Sequence, residues 1–365
     1  MKYLSILHFF FLCLLTSSAF SCTEFRLTAQ DGTMLVARTQ EYSVDLKSNI
    51  RTSTRERQYS TLSSSSKPGL SWKAKYGYVY LDGLNQDFAI DGVNEAGLSL
   101  GALYLPGETL YQTPPIGSDS KSLPYFYFGD WVLSNFKSVD EVKKALNNIY
   151  VFAGHLPGVS IVFPLHYSIQ DASGKSIVVE FVKGRTHVYD NPLGIMTNSP
   201  TFDWQLTNLR NYNALSPYTP QPIVENGMIF AATGQGAGAL GLPGDISPPS
   251  RFTKISYLIR TSIPADNAIN LLTLAQHVIN NVDIPLGVVR AKQANGPDAL
   301  EYTQWTVFKD LTNKVLYYHS YGDLSVKAIV MNKIDFSPNA QRLKMPVETQ
   351  PYIQDLAEHF NKMKG

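Results

Sequence analysis

The sequence has very little cysteine: Cys13 and Cys22 are the two among 365 residues. Cys13 lies in the N-terminal apolar run, so a chain that loses this run keeps one thiol and cannot form an internal disulfide. The chain also lacks an excess of charge, with a formal net charge of +1, and it has no Lys/Arg-rich run. Nucleic-acid binding is therefore not expected, because phosphate contacts require a basic surface.

Long apolar runs are also missing, apart from residues 4–15, and that run is too short for a comfortable membrane span. The sequence has no HExxH and no Cys/His pairs at metal-ligand spacing, so we expect no metal and no cofactor. The glycine-rich run at 234–244 lacks the Gly-Lys-Ser/Thr of a phosphate loop. With 44% apolar and 17% charged residues, the composition is that of a globular protein.

The N-terminal run has the features of a secretion signal. Lys2 supplies the positive charge, residues 4–15 supply the apolar segment, and Ala-Phe-Ser at 19–21 places small residues at the two positions that a signal peptidase reads. We therefore predict a signal peptide at 1–21 and export to the periplasm or the medium.

Cleavage at this point would leave Cys22 at the N-terminus of one domain, 22–365, because no domain boundary is marked in the rest of the chain. A thiol would then share its residue with an α-amine, whose ordinary pKa is about 7.7–8.0. A base with a pKa near the working pH is well suited to activate a nucleophile. The sequence therefore predicts a catalytic cysteine that carries its own base.

A cysteine that follows a signal can instead be lipidated, which would make this a lipid-anchored, non-catalytic binding protein modified at Cys22. Lipoprotein signals favour an aliphatic residue three positions before the cysteine, and this chain has Ala19 there, followed by the bulky Phe20. Acylation would also remove the amine as a base. The mass of the mature N-terminus distinguishes the two hypotheses.

The pattern of apolar residues predicts an α+β fold in which blocks of strands alternate with blocks of helices. A first hairpin turns at Asp31-Gly32, a late one turns at 310–313, and the Ser-rich segment 47–70 is expected to be a loop with at most an edge strand. Helices are expected at 203–214, 251–263 and 268–281.

Arg38 lies on the returning strand of the first hairpin, opposite the start of the mature chain. Its guanidinium could therefore lie beside the Cys22 thiol and remain charged there. A papain-type site would instead need a His partner, and His155 and His166 are at a suitable distance along the chain. The residues around Cys22 lack the papain flank, however, so we expect both histidines to be ordinary strand or loop residues.

Five segments, in order along the chain, resemble the choloylglycine hydrolase family, which contains bile salt hydrolases and penicillin V acylases. They are Cys22-Thr23 with Asp31-Gly32 and Arg38, DGVNEAGLSLGALYLPG at 91–107, GIMTNSPTFDW at 194–204, GQGAGALGLPGDISPPSRF at 234–252, and TQWTVFKDLTNKVLYYHSY at 303–321. The resemblance covers nearly all of the mature chain. It implies a four-layer αββα sandwich of the N-terminal nucleophile hydrolase type and a small-molecule N-acyl amide as the substrate.

The resemblance also implies roles for particular residues. Cys22 matches the nucleophile, whose amine is the base, and Arg38 matches the arginine beside the sulfur. Asn198 matches the asparagine that helps to form the oxyanion hole, and Arg251 matches the second arginine of the site. One oxyanion-hole donor contributes about 2.7–4 kcal/mol.

Two residues depart from the family pattern. The family usually has an Asp that holds the α-amine three residues after the first arginine, and this chain has Glu41 there, with one more methylene. Bile salt hydrolases commonly have Asn at the position of Tyr104, whereas penicillin V acylases often have Tyr. The main-chain N–H of Tyr104 can still donate to the oxyanion, so this residue bears on substrate choice.

These observations predict an exported cysteine amidase that hydrolyses linear C–N amide bonds of N-acyl substrates. Penicillin V, conjugated bile acids and N-acyl homoserine lactones all join an apolar acyl group to a polar amine. The segment 205–235 is long enough for a protruding hairpin, which in the resembled family supports tetramers, so a homotetramer is expected.

Overall fold

The computed structural model describes residues 21–159, 161–293 and 296–363, so residues 1–20 of the predicted signal peptide lie outside the described residues. The strands are β1 (Thr23–Thr28), β2 (Met34–Tyr42), β3 (Asn49–Ser53), β4 (Gln58–Leu62), β5 (Pro68–Lys73), β6 (Tyr78–Leu81), β7 (Asp91–Asn94), β8 (Leu98–Tyr104), β9 (Ser122–Pro124), β10 (Tyr150–Phe152), β11 (Leu165–Asp171), β12 (Ser176–Val182), β13 (Arg185–Asp190), β14 (Ile223–Glu225), β15 (Met228–Phe230), β16 (Val289–Ala291), β17 (Ala299–Asp310), β18 (Val315–Ser320), β19 (Lys327–Val330) and β20 (Lys344–Pro346). The helices are α1 (Phe128–Asn135), α2 (Val139–Leu146), α3 (Phe202–Leu209), α4 (Pro248–Thr261), α5 (Ala268–Ile279) and α6 (Ala357–Lys362).

Two large sheets form the centre of the molecule. The first has the order β1-β2-β17-β18-β19, with β16 also paired to β17, and the second has the order β13-β12-β11-β8-β7-β6-β3-β20. Helices α4 and α5 cover the outer face of the first sheet, and α1 and α2 cover the outer face of the second. The result is the αββα sandwich that the sequence resemblance implies.

Alternation along β2 shows how the sequence builds these layers. Leu35 and Ala37 pack into the apolar cluster under α4 and α5, whereas Val36 packs between the two sheets against Val79 and Val93. Because successive side chains of a strand point to opposite faces, the same alternation directs Arg38 into the space between the sheets.

The structure confirms both predicted hairpins: β1 pairs with β2, and β17 pairs with β18. The expected helices are present with shifted ends, as α3, α4 and α5. Among the described residues, no helix has the length and apolar character needed to cross a membrane.

The loop predicted at 47–70 is wrong. The segment contributes β3 and β4 and the start of β5, and β3 lies inside the second sheet between β6 and β20. In β4, Tyr59 and Thr61 are buried while their neighbours, including Leu62, are exposed. This is the period-2 pattern of a strand, in which a Thr occupies a buried position and a Leu an exposed one. Arg51, on β3, pairs with Asp82.

Candidate active site

Cys22 lies directly before β1 and has 2% of its surface exposed. The antiparallel register sets the next residue, Thr23, opposite Thr39 of β2, and the Cys22 Sγ lies 4.0 Å from the carbonyl oxygen of Glu41. Burial raises the pKa of the Cys22 thiol, and the positive charge of Arg38 opposes this rise. The thiol is therefore held in a buried site in which the charge of Arg38 favours the thiolate.

Arg38 is fully buried between the two sheets. Its Nη1 donates to Asp91 Oδ2 at 2.9 Å and to the carbonyl oxygen of Ile90 at 3.0 Å, and its Nη2 donates to the carbonyl oxygen of Ala102. The guanidinium also lies 5.3 Å from the centre of the Trp305 ring. Its Nε has no hydrogen-bond partner among the described residues, so the guanidinium is anchored through its two Nη atoms.

The anchor of Arg38 belongs to an inter-sheet charge network formed by Arg38, Asp91, Lys309 and Glu24, all buried. Lys309 Nζ lies 2.9 Å from Asp91 Oδ2 and 3.2 Å from Glu24 Oε2. A Cβ placed on Gly101 would lie 2.3 Å from Glu24 Oε2, so the close approach of the sheets requires glycine there. The network contains two positive and two negative groups, which balances charges that would otherwise be costly to bury.

Arg251 reaches Cys22 from α4. Its Nη1 donates to the carbonyl oxygen of Cys22 at 2.7 Å and also to the Thr23 hydroxyl, and its Nε donates to the carbonyl oxygen of Ile246 at 2.9 Å. The Nη2 donates to Asn198 Oδ1 at 2.8 Å. This guanidinium therefore fixes both the backbone of the nucleophile and the orientation of the Asn198 amide.

The Asn198 amide lies between Arg251 and Tyr104. Its Nδ2 donates to the carbonyl oxygen of Tyr104 at 2.7 Å, while Gln205 of α3 donates to the Asn198 carbonyl oxygen at 3.2 Å. An amide nitrogen carries two hydrogens, and the bond to Tyr104 uses one. The second hydrogen takes no part in that bond.

Glu41 is fully buried on β2. Its Oε1 accepts a hydrogen bond of 2.6 Å from the Thr303 hydroxyl on β17, and its Oε2 has no partner among the described residues. Burial raises the pKa of Glu41 to about 7, and the positive charge of Arg251 opposes this rise. Glu41 is thus a buried carboxyl that lies beside Cys22 and has one oxygen available.

A small cavity of about 60 Å³ opens beside Cys22. Its lining is mostly apolar and aromatic, and includes Tyr42, Phe88, Tyr104, Tyr125 and Phe163. Tyr42 and Phe163 face each other with ring centroids 6.2 Å apart. The cavity can therefore accept an apolar group next to the thiol.

The structure brings together all six residues proposed from the sequence, and it leaves the two histidines outside the site. His166 is buried against Glu180 and the carbonyl oxygen of Thr197, at 3.1 and 2.8 Å, and His155 is exposed. Sequence reasoning missed the partners of the site residues, which are Glu24, Asp91, Glu301, Thr303 and Lys309. Two of the quoted motifs contain Asp91, Thr303 and Lys309. The charges of Asp91 and Lys309 inside predicted strands were the available signal that these residues pair with other buried groups. Within the described ranges, no group of three or more His, Cys, Asp or Glu side chains is arranged to hold a metal ion.

A cysteine at the start of a strand in an αββα sandwich is the arrangement of N-terminal nucleophile hydrolases. The model of the linear amide C–N hydrolases, choloylglycine hydrolase family, matches residues 22–345, and the chain belongs to this family.

Three similar proteins illustrate the relationship. The bile salt hydrolase/transferase of Clostridium perfringens is 34% identical over 349 residues, which cover 93% of this chain and 100% of that protein. The solved structure of a variant of the conjugated bile acid hydrolase from Clostridium perfringens matches with a TM-score of 0.80 and 30% identity, over 91% of this chain and 99% of that one. Penicillin V acylase from Agrobacterium tumefaciens matches with a TM-score of 0.71 and 26% identity, over 89% and 91%. This protein is accordingly a linear amide hydrolase.

Proposed function

We propose that this protein is an exported cysteine amidase that hydrolyses N-acyl amides through an acyl thioester on Cys22, after removal of residues 1–21 has freed its α-amine. The observation that carries the proposal is the chain of hydrogen bonds from the Cys22 carbonyl oxygen through Arg251 and Asn198 to the Tyr104 carbonyl oxygen. It places an oriented amide donor beside a buried thiol. Such a donor has its largest effect on an oxyanion that forms in a water-poor site.

The first half of the reaction forms the thioester. The α-amine takes the proton from Cys22 Sγ, and the sulfur attacks the amide carbonyl of the substrate. Asn198 Nδ2 and the main-chain N–H of Tyr104 donate to the developing oxyanion. The ammonium then returns its proton to the leaving amine, the C–N bond breaks, and the acyl group stays on the sulfur.

The second half hydrolyses the thioester. Water donates a proton to the α-amine as its oxygen attacks the thioester carbonyl, and the same two donors again hold the oxyanion. The C–S bond breaks, the carboxylic acid leaves, and the proton returns to the sulfur. Arg38 supports both halves, because its charge favours the thiolate over the thiol.

Cys22→Ser tests the nucleophile. We expect kcat to fall by more than about 10³-fold while circular dichroism and the melting temperature stay close to those of the parent. Retained activity would overturn the assignment.

One extra residue ahead of Cys22 should also abolish activity, because the α-amine of Cys22 becomes part of a peptide bond and is no longer a base. Full activity of this extended chain would mean that another group is the base.

For the acyl group, the cavity favours a flat aromatic or linear apolar chain over a fused steroid. Its volume is about 60 Å³, so it receives only part of an acyl group, and the facing rings of Tyr42 and Phe163 line it. Tyr104, which is often present in penicillin V acylases, agrees with this preference.

A hydrolysis panel on the processed protein tests the substrate preference. We expect a kcat/KM at least about tenfold higher for penicillin V or a straight-chain N-acyl homoserine lactone than for glycocholate or taurocholate, which is about 1.4 kcal/mol. A preference for the bile acids would reverse this ranking and leave the amidase chemistry in place. Hydrolysis of none of them by a folded, processed chain would contradict the proposed substrate class.

Export and processing are tested by the intact mass of the chain recovered from periplasm and medium. A mass that begins at an unmodified Cys22 supports the proposal. A diacylglyceryl group on Cys22 would overturn it in favour of the lipid-anchored binding protein, because the modified amine is no longer a free base.

A homotetramer is the assembly that we propose, on the basis of the β14–β15 hairpin. Its apolar side chains are more than half exposed, including Ile229 at 68% and Phe230 at 53%, and an exposed apolar patch of this kind marks an interaction surface. Native mass measurement should give four chains, and Ile229→Asp should reduce this number. Ile116→Asp, at an exposed isoleucine outside the hairpin, is the control; a parent protein that is monomeric would contradict the proposal.

A further inference from the structure

Glu301 is a second buried carboxyl near Glu41 and Arg251, and it has no role in the chemistry described above. It lies on β17 two residues before Thr303, on the same face of the strand, and Thr303 is the residue that donates to Glu41. Glu301 is 3% exposed. Neither of its carboxylate oxygens has a hydrogen-bond partner among the described residues, and such an arrangement is rare in folded proteins.

The surroundings of Glu301 identify what its oxygens face. Burial and the neighbouring Glu41 raise the pKa of Glu301 to about 8, against the opposing effects of Arg251 and the Ser21 hydroxyl. Ser21 immediately precedes Cys22 and is itself buried. Glu301 therefore lies near the side chain of the residue before the nucleophile and near Glu41, which also has an unpartnered oxygen among the described residues.

The nearby cation does not meet this demand for hydrogen-bond donors. Arg251 donates to the carbonyl oxygens of Ile246 and Cys22, to the Thr23 hydroxyl and to Asn198. None of these acceptors is a carboxylate. Three buried carboxylate oxygens, one from Glu41 and two from Glu301, are thus left without a donor.

Hydrolysis of the Ser21–Cys22 peptide bond creates a donor at this place. Water adds across the bond, Ser21 leaves with a carboxylate, and Cys22 keeps an α-ammonium with three N–H bonds. We propose that Glu301 is a second positioning residue for the Cys22 α-amine and that it shares these N–H bonds with Glu41. The inference rests on the proposed function, in which this amine is the base.

This arrangement explains how Glu41 can act despite its extra methylene. Two carboxyls that approach one amine from neighbouring strands, β2 and β17, restrict its position more than one carboxyl does. They also favour the ammonium over the amine, since an adjacent negative charge raises the pKa of a cationic group. The acidic limb of the pH–rate profile, where the amine becomes protonated, should consequently depend on Glu301.

Other titratable and charged groups interact with Cys22, Glu41 or Glu301. They are Arg38 and Tyr42 on β2, Tyr104 on β8, Arg251 on α4, and Asp283 after α5. Burial raises the pKa of Tyr104 to about 12 and also raises that of Tyr42, so both phenols are neutral where the enzyme would work. The arginines are charged throughout and Asp283 is exposed, which leaves the two buried carboxyls, Glu41 and Glu301, as the groups that tune the amine.

The test is Glu301→Gln, which keeps the shape and removes the charge, in the processed chain. We expect the acidic limb of kcat/KM to move to lower pH by about one unit, equivalent to 1.36 kcal/mol, and Glu301→Asp to restore it. A direct readout is available because Cys22 is the one cysteine in a chain that starts at residue 22. Labelling with ¹⁵N-cysteine gives one α-amine signal, and its titration midpoint should fall by the same amount in Glu301→Gln.

The outcomes separate the two proposals. An active Glu301→Gln enzyme with an unchanged limb and an unchanged α-¹⁵N midpoint would overturn the role of Glu301 and leave the cysteine mechanism intact. Retained activity of Cys22→Ser would overturn the mechanism itself. Asp130→Asn is the matched control: Asp130 is a buried carboxyl whose pKa burial raises to about 6, it lies among residues of α1, β4 and β6, and its loss should not move the α-amine midpoint. If Glu301→Gln does not fold, Glu301→Met takes its place: it also removes the charge, so the midpoint should fall by the same amount, and an unchanged midpoint in a folded protein contradicts the proposal.

Discussion

Two buried clusters of charge lie on either side of β2, and they differ in their balance of positive and negative groups. The inter-sheet charge network has two cations and two carboxylates, and Lys309 bridges both carboxylates. On the other face of the strand, Glu41 and Glu301 form a carboxyl pair with three unpartnered oxygens and one nearby cation, Arg251. Both clusters are almost completely removed from solvent.

The inter-sheet charge network has a structural role, whereas the Glu41–Glu301 pair lies where the proposed chemistry needs charged groups. A network with equal numbers of positive and negative groups holds the sheets in register and keeps Arg38 in one orientation. A buried carboxyl pair with too few donors destabilises the chain until a cation is supplied. The α-ammonium of Cys22 is the cation that processing would supply, so this second cluster is matched to the mature N-terminus.

The largest expected effect comes from breaking the balanced network. Lys309→Met removes the partner of Glu24 Oε2 and should lower the free energy of unfolding by about 3–5 kcal/mol, as measured by urea denaturation. Lys143→Met is the control, because Lys143 and its partner Asp190 are exposed by 39% and 77% and such a pair contributes about 0–1 kcal/mol. Equal losses in the two variants would mean that the network does not stabilise the sandwich.

Breaking the carboxyl pair should affect rate more than stability. Glu41→Gln should lower kcat/KM by about 100-fold, because an amine displaced by about 1 Å loses its alignment with the thiol. The free energy of unfolding should be unchanged or higher, since an underpaired buried charge has been removed. Glu41→Asp keeps the charge and should stay within about tenfold of the parent. A variant that loses stability and keeps its rate would reverse the assignment of the two clusters.

The comparison also predicts an unusual pH dependence of stability. Burial raises the pKa of Glu41 to about 7 and of Glu301 to about 8 in the folded chain, above the ordinary value of 4.5. Between pH 4.5 and these values the folded state retains protons that the unfolded state has released, so stability falls as pH rises through this window.

A chain with one residue added ahead of Cys22 should show this fall most clearly, because its amine is blocked. From pH 5 to pH 8 we expect its melting temperature to drop by about 4 °C, and the double variant Glu41→Gln/Glu301→Gln should flatten the curve. In the processed chain the ammonium pairs with the carboxyls, so the drop should be smaller. Identical curves for the extended and processed chains would show that the pair does not face the N-terminus.

Local elements and motif residues were predictable from the sequence, whereas contacts between the two sheets were not. The first hairpin follows from local alternation and a turn at Asp31-Gly32, and the positions of Asn198 and Arg251 follow from motif matches. The pairing of Lys309 with Asp91 and Glu24 was not predictable, because it arises where strands from two sheets meet face to face. The strands within 47–70 were missed because Thr52, Ser53 and Thr61 occupy buried positions in β3 and β4. Such polar residues are also typical of loops, so only the pairing with neighbouring strands distinguishes these segments from a loop.

The smallest effect that still separates the clusters comes from Thr303, which contacts the carboxyl pair through one hydroxyl. That hydroxyl donates to Glu41 Oε1 at 2.6 Å and accepts from the Ile284 N–H at 2.9 Å. Thr303→Val keeps the shape of the side chain and removes both bonds, so Glu41 is no longer oriented. We expect kcat to fall by about tenfold, or about 1.4 kcal/mol, with little change in KM, because the hydroxyl acts on the base and does not touch the acyl cavity.

The matched variant is Thr61→Val, which removes a hydroxyl that donates at 2.8 Å to the carbonyl oxygen of Leu70, far from Cys22. Both variants should lose about 1 kcal/mol of stability, whereas the rate should fall in Thr303→Val alone. The hydrogen bond thus contributes similarly to folding at either position, and its contribution to rate depends on which carboxyl it orients. If Thr303→Val keeps its full kcat, the Thr303 hydroxyl is not needed to orient Glu41 toward the amine.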